Sequence, residues 1–245
     1  MRARSGLWRI VAAAVCLGSI CACAPAALRS PMPSGVPGFT IPNVHGLAGT
    51  GPGLGLRGQA PRRDEIPQLR TYGITDILIF KKQETKEVDR EIGWLLAAGY
   101  QRDRIHTIPF PWKDMGAFRD NCALTVRALR LLRDLRADGS RGVYLHCTVG
   151  EDRTGYLAGL FRMLVDGWDE EQAFRRELCA HGFGDGNTAK PEWVKKAVLK
   201  ELSPLYSRMA KLISSGRLKL DSLDEAVCDT EPEKTGTPPA GDRCY

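Results

Sequence analysis

Gly142-Val143-Tyr144-Leu145-His146-Cys147-Thr148-Val149-Gly150-Glu151-Asp152-Arg153-Thr154-Gly155 is the stretch around which the rest of the chain is read. Gly142 to Cys147 is short, apolar and rich in β-branched and aromatic residues, the composition of a buried strand. A loop of small and polar residues follows, and then an apolar helical pattern over Thr154 to Val165. A loop between a strand and a helix aims successive backbone N–H groups at one point, and the helix N-terminus adds partial positive charge. Gly150 permits a turn that a side chain would hinder. Arg153, six residues after Cys147, is placed to fold back and grip an anion through two parallel hydrogen bonds. In such surroundings a thiol has a lowered pKa, and a thiolate is a good nucleophile toward phosphorus. Thr154 can donate its hydroxyl to the sulfur, and His146 reads as a structural hydrogen-bonding residue beneath the loop.

Outward from this stretch, Ile74 to Phe80 and Arg104 to Phe110 read as two further buried parallel strands. Helical patterns separate the strands. Glu84 to Ala98 puts Val88, Ile92, Leu95 and Leu96 on one face and stops at Gly99, and Ala117 to Ala137 does the same with Leu124, Leu129, Leu131, Leu132 and Leu135. Alternation of strand and helix implies an α/β fold, a small central, mainly parallel sheet flanked by helices in three layers. Two more helical segments follow, Asp169 to Ala180 and Pro191 to Ser215. Thr50 to Gly55 is glycine-rich but lacks the spacing of a dinucleotide fingerprint, and reads as a flexible turn.

The loop and what surrounds it resemble the protein tyrosine phosphatase superfamily, in its compact dual-specificity-like branch. His-Cys-x5-Arg-Thr-Gly carries most of the likeness. Leu56-Arg57-Gly58-Gln59-Ala60-Pro61 and Tyr72-Gly73-Ile74-Thr75 are similar to elements that open such domains, in the same order. The resemblance implies hydrolysis of phosphate monoesters through a phosphocysteine. Cys147 would be the nucleophile, and Arg153 with Thr148, Val149, Gly150, Glu151 and Asp152 would hold the phosphate. No metal and no cofactor are implied. It also implies an aspartate acid on a loop some thirty residues upstream. Asp114, 33 residues before Cys147 in Pro109-Phe110-Pro111-Trp112-Lys113-Asp114, ranks first, ahead of Asp152 and Asp120.

Glu151 and Asp152 make the loop less positive than relatives with lysine at the Glu151 position, which favours phosphotyrosine or phosphoserine/threonine in proteins over phosphoinositides or inositol phosphates. Lys81 and Lys82 either attract the substrate or are solvated charges. A non-catalytic phosphate-binding module, with Cys147 tied by a disulfide to Cys179 or Cys122, is the alternative of another class.

The N-terminus is basic to Arg9, apolar from Ile10 to Ile20 and small around Cys21 to Ala24, the pattern of an export signal. Ile20-Cys21-Ala22-Cys23 resembles the bacterial lipobox, which implies cleavage after residue 22 and a lipid anchor at Cys23; simple secretion with cleavage near Ala22 or Ala27 is the alternative. Losing Arg2, Arg4 and Arg9 with the signal would bring the formal charge from +6 to +3, and no basic block with interleaved aromatics suggests nucleic acid as a partner. The expected organisation is therefore a signal peptide over 1–22, a Pro/Gly/Ser-rich tether over 23–38, a phosphatase-like domain over 39–225 and a polar, disordered tail over 226–245. The implied location is the periplasm or cell envelope, at a bacterial membrane. Outside the cytoplasm disulfides persist, and Cys228 with Cys244 is the expected pair.

Overall fold

A computed structural model of the chain describes residues 32–48, 53–231 and 243–244. The signal segment, Cys23, residues 50–52 of the expected turn and most of the expected tail lie outside the described residues, whereas Leu54 and Gly55, also read as turn, stand in a strand.

Five strands form one sheet: β1 (His45–Gly46), β2 (Leu54–Gly58), β3 (Asp76–Phe80), β4 (Ile105–Ile108) and β5 (Gly142–His146), in the order β1-β2-β5-β3-β4. Only β1 is antiparallel, paired with β2. β5 sits in the middle, parallel to β2 on one side and to β3 on the other, so its C-terminal end opens between two neighbouring strands. The α/β sheet agrees with the sequence reading, which missed β1 and β2. Leu54–Gly58 has two glycines and an arginine rather than an apolar run, yet parallel pairing with β5 buries all of it except Leu54.

β3 shows why the sheet must be covered on both faces. All five of its residues are buried. Ile77 and Ile79 point into one core with α1 (Ile66–Thr71) and α2 (Glu87–Ala97), through Ile66, Leu69, Val88 and Leu95. Leu78 and Phe80 point into the larger core with α3 (Phe118–Ala137) and α4 (Asp152–Val165). Alternating side chains with both faces apolar is the signature of a parallel sheet between helical layers. On α2, Leu96 lies 43% exposed, off the face the sequence assigned to it, because Leu95 and Val88 already fill the contact with the sheet.

After α4 the chain adds α5 (Glu170–Ala173), capped at Asp169 by a reciprocal pair with Gln172, then α6 (Glu192–Ala197) and α7 (Ser203–Ser214). α7 packs Leu205, Met209 and Leu212 into the α3–α4 core.

Both ends of the expected domain move outward. Gly35 N donates to Val44 O at 2.9 Å and Asn43 N to Met32 O at 3.0 Å, so residues 32–36 pack on the body rather than extend from it. At the other end, Glu225–Thr230 forms a short 3-10 helix against α3, with Arg127 bonding Glu225 at 2.9 Å. The disulfides are Cys122–Cys228 and Cys179–Cys244, correcting the expected Cys228–Cys244 pair. α3 and the segment after α5 each present a cysteine to the distal chain, which is pinned twice instead of closing a loop on itself.

Candidate active site

β5 delivers His146 and Cys147 to the edge of the sheet, and α4 begins five residues later at Asp152. The intervening turn is tight because Gly150 adopts φ +72° with its Cα against Gly58: a Cβ there would lie 2.3 Å from the Gly58 carbonyl carbon. Asn43 Nδ2 holds the turn from outside by donating to Gly150 O at 2.9 Å. Cys147 is buried, is the one free cysteine among the described residues, and lines a cleft with Thr148, Val149, Asp152 and Arg153. The expected alternative pairing of Cys147 with Cys179 or Cys122 is excluded, since both are engaged in the disulfides above.

Arg153 does fold back over the loop. Its Nη2 donates to Thr148 Oγ1 at 3.0 Å and its Nη1 to Phe110 O at 3.3 Å, which fixes the guanidinium at the cleft wall. Burial pushes the Cys147 thiol up, but Arg153, together with the hydroxyl and backbone N–H of Thr154, pulls it down to about 7, against some opposition from Asp152. The Thr154 hydroxyl is buried with no other partner among the described residues, so its proton is available to the sulfur.

Beneath the loop His146 is fully buried. Its Nδ1 lies 2.8 Å from Cys147 O and its Nε2 2.7 Å from Glu91 Oε1, and Glu91 in turn pairs with Lys81 at 3.2 Å. Lys81 is therefore a buried structural cation, correcting the reading that grouped it with Lys82. Lys82 does line the cleft.

The two loop acids have separate fates. Glu151 is buried, bonded by Asn187 Nδ2 at 2.9 Å and Lys190 Nζ at 3.0 Å, and does not line the cleft. Its charge is thus not displayed to a substrate, which corrects the assumption that it thins the positive field of the cleft. Asp152 does line the cleft, accepting from Gly184 N at 2.9 Å and pairing with Lys190 at 2.5 Å.

Of the candidate acids, Asp114 lies exposed on the β4–α3 segment, two residues after Trp112, which lines the cleft. The structure does not bring Asp114 itself into the cleft. It adopts φ +50° and is followed closely by Gly116 at φ +68°, the backbone of a tight turn. Asp120 is exposed on the first turn of α3, and Asp152 is committed to Lys190. Glu84 and Glu87, missed from sequence, also line the cleft. Glu87 is held down at about 2, because the backbone N–H groups of Glu84 and Thr85 outweigh the effect of burial. It stays ionised and is a poor proton donor.

Also missed were Asn43, Glu91, Glu177, Asn187 and Lys190. Each reaches the loop or Arg57 from far along the chain, so no local spacing announces it. Arg57, inside a motif the sequence did single out, is fully buried, and its Nε lies 3.4 Å from Glu177.

A profile of the tyrosine phosphatase family matches residues 59–174, which span α1 to α5 and the whole cysteine loop. Over these residues the chain is similar to that family. It is similar to the dual specificity protein phosphatase TpbA of Pseudomonas aeruginosa strain UCBPP-PA14, at 43% identity over 55% of this chain and 57% of that protein. The TpbA of strain PAO1 is 29% identical over the same shares. The chain spans little more than half the length of these curated relatives. A crystal structure of P. aeruginosa TpbA aligns at 23% identity and TM-score 0.43, over 69% of this chain and 91% of that one. Outside the family match lie β1, β2, α6, α7 and both tail cysteines, so Asn43, Arg57, Glu177, Asn187 and Lys190 all come from beyond it.

Proposed function

We propose that the chain hydrolyses phosphate monoesters through a phosphocysteine intermediate. The observation that carries this reading is the buried Cys147 thiol, drawn to about 7 beside Arg153 at the start of a helix. Similarity to dual specificity protein phosphatases supports it. In the first step Cys147 Sγ bonds to phosphorus as the ester P–O bond breaks, and Asp114 gives its proton to the departing oxygen. In the second, water attacks phosphorus, Asp114 takes its proton, and the S–P bond breaks to release phosphate and thiolate. Arg153 and the loop N–H groups hold the equatorial oxygens throughout. Asp114 must approach the cleft for this, on the turn between Trp112 and Gly116.

The side chains around the cleft point to phosphorylated protein as substrate. Lys82 and Arg153 are set against Glu84, Glu87 and Asp152, a balance that suits one phosphate on a peptide better than a polyphosphorylated head group. Export and anchoring at Cys23 belong to the same proposal, supported by two disulfides of the kind that persist outside the cytoplasm. Palmitate labelling that persists in Cys23→Ala would remove the anchor.

Purified protein should turn over para-nitrophenyl phosphate and phosphopeptides, with vanadate inhibition, and Cys147→Ser should abolish both. Between pH 5 and 7 the rate should climb as the thiol ionises with its midpoint near 7. Turnover that survives Cys147→Ser would sink the mechanism, and a preference for phosphoinositides over phosphopeptides would overturn the substrate.

A further inference from the structure

Lys190 lies between α5 and α6, beyond the residues that match the family profile, and its side chain is fully buried. Its ammonium has three N–H donors and meets three oxygens: Asp152 Oδ1 at 2.5 Å, Gly182 O at 2.7 Å and Glu151 Oε2 at 3.0 Å. Two of these contacts are hydrogen bonds and the third is an ion pair, and the side chain is 0% exposed. Both carboxylates belong to the cysteine loop, and Asp152 lines the cleft beside the sulfur. An uncompensated carboxylate there would repel a thiolate and an incoming phosphate alike.

We propose that Lys190 is a positioning residue for the cysteine loop: its ammonium draws Glu151 and Asp152 together beneath the loop and neutralises Asp152, making room for two anions, thiolate and phosphate, on the other side. The proposal rests on reading the loop as a phosphate-ester site. The segment that carries Lys190 is built to hold it in place. Asn187 Nδ2 donates to Glu151 at 2.9 Å, Gly184 N to Asp152 at 2.9 Å, and Cys179 at its start is bonded to Cys244. Burial pushes the Glu151 carboxyl up against the pull of Lys190, so the ammonium is the cation that offsets the two loop carboxylates in this buried corner.

The charged and titratable groups around Cys147 are Asp152, Arg153 and the Thr154 hydroxyl from α4, Arg57 from β2, Tyr144 from β5, and Lys82, Glu84 and Glu87, which line the same cleft. Lys190→Met leaves all of these in place and removes the cation shared by Asp152, Glu151 and Gly182 O.

The test uses the full chain and needs no turnover, so it separates this proposal from failure of the phosphatase reading. Alkylation of Cys147 by iodoacetamide is followed against pH, with and without vanadate as a protecting anion. In Lys190→Met the alkylation midpoint should rise by roughly half a pH unit. The vanadate needed for half-protection should rise roughly 5- to 10-fold. Adding Asp152→Asn to Lys190→Met should bring both values back toward those of the parent. A folded Lys190→Met with midpoint and protection unchanged, or a double variant no closer to the parent than the single, overturns the proposal. If Lys190→Met does not fold, Asp152→Asn alone decides: its midpoint must fall below that of the parent, and a midpoint unchanged or raised overturns the proposal.

Discussion

Cys244 is disulfide-bonded to Cys179 across 65 residues of sequence, which fastens the distal chain to the segment lying under the cysteine loop. Cys244 N also donates to Asp185 Oδ1 at 2.9 Å, inside that same segment. The bond thus joins two things that the sequence keeps apart, the tail and the supports of the site.

Closing a loop of that length removes chain entropy from the unfolded state worth about 4 kcal/mol. Cys244→Ser should therefore lower the Tm by roughly 10 °C under non-reducing conditions. Thermal melting followed by circular dichroism reads this directly. Coincident curves for variant and parent would show that the bond holds nothing.

Gly150→Ala should disable the site while sparing the fold. The position has φ +72°, and the new Cβ would collide with the Gly58 backbone, so the loop must shift away from β2. Displacement of a catalytic loop by about 1 Å costs on the order of a hundredfold in rate. The comparison to make is turnover of para-nitrophenyl phosphate against an unchanged far-UV spectrum; near-parent turnover would mean the loop tolerates the side chain.

Asp114→Asn should lower kcat on phosphopeptides by about 10²- to 10³-fold, the usual worth of a positioned general acid. The pH dependence of Cys147 alkylation should not change, since Asp114 is exposed and outside the cleft. A loss of less than threefold would move the role to another carboxylate, and parallel measurements on Asp120→Asn and Asp152→Asn would locate it.

Glu177 couples stability to pH. Burial pushes its carboxyl up, but His181, Arg57 and Arg162 outweigh this and hold it at about 2. Its folded pKa is depressed, so the stabilisation is fully present above the ordinary carboxylate range and is lost as pH falls toward 2. The expected loss is on the order of 3 kcal/mol across that window. Urea denaturation of Glu177→Gln should show lower stability at pH 6, because Arg57 loses its buried partner, and a flatter decline between pH 5 and 3. A decline as steep as the parent's would assign the acid sensitivity elsewhere.

The sequence was most legible where function and secondary structure share one short window. A β-branched strand, a loop with glycine and arginine at fixed offsets, and a following helix are all local, so Gly142 to Val165 could be read residue by residue. The apolar strands β3 and β4 were legible for the same reason. β2 was not, since its glycines carry no hydrophobic run and its burial comes from pairing with β5.

What the sequence determined by itself is the candidate nucleophile, its arginine and the turn between them, because these lie within seven residues and their proposed chemistry follows from order along the chain. What only the tertiary structure decided is how that loop is held. Glu151 turns inward because Lys190 waits there, Lys81 is sequestered by Glu91, and the distal cysteines pair with Cys122 and Cys179 rather than with each other. A buried charge or thiol must find a partner, and the partner is whichever group folding carries to within about 3 Å of it, however far away it lies in the chain.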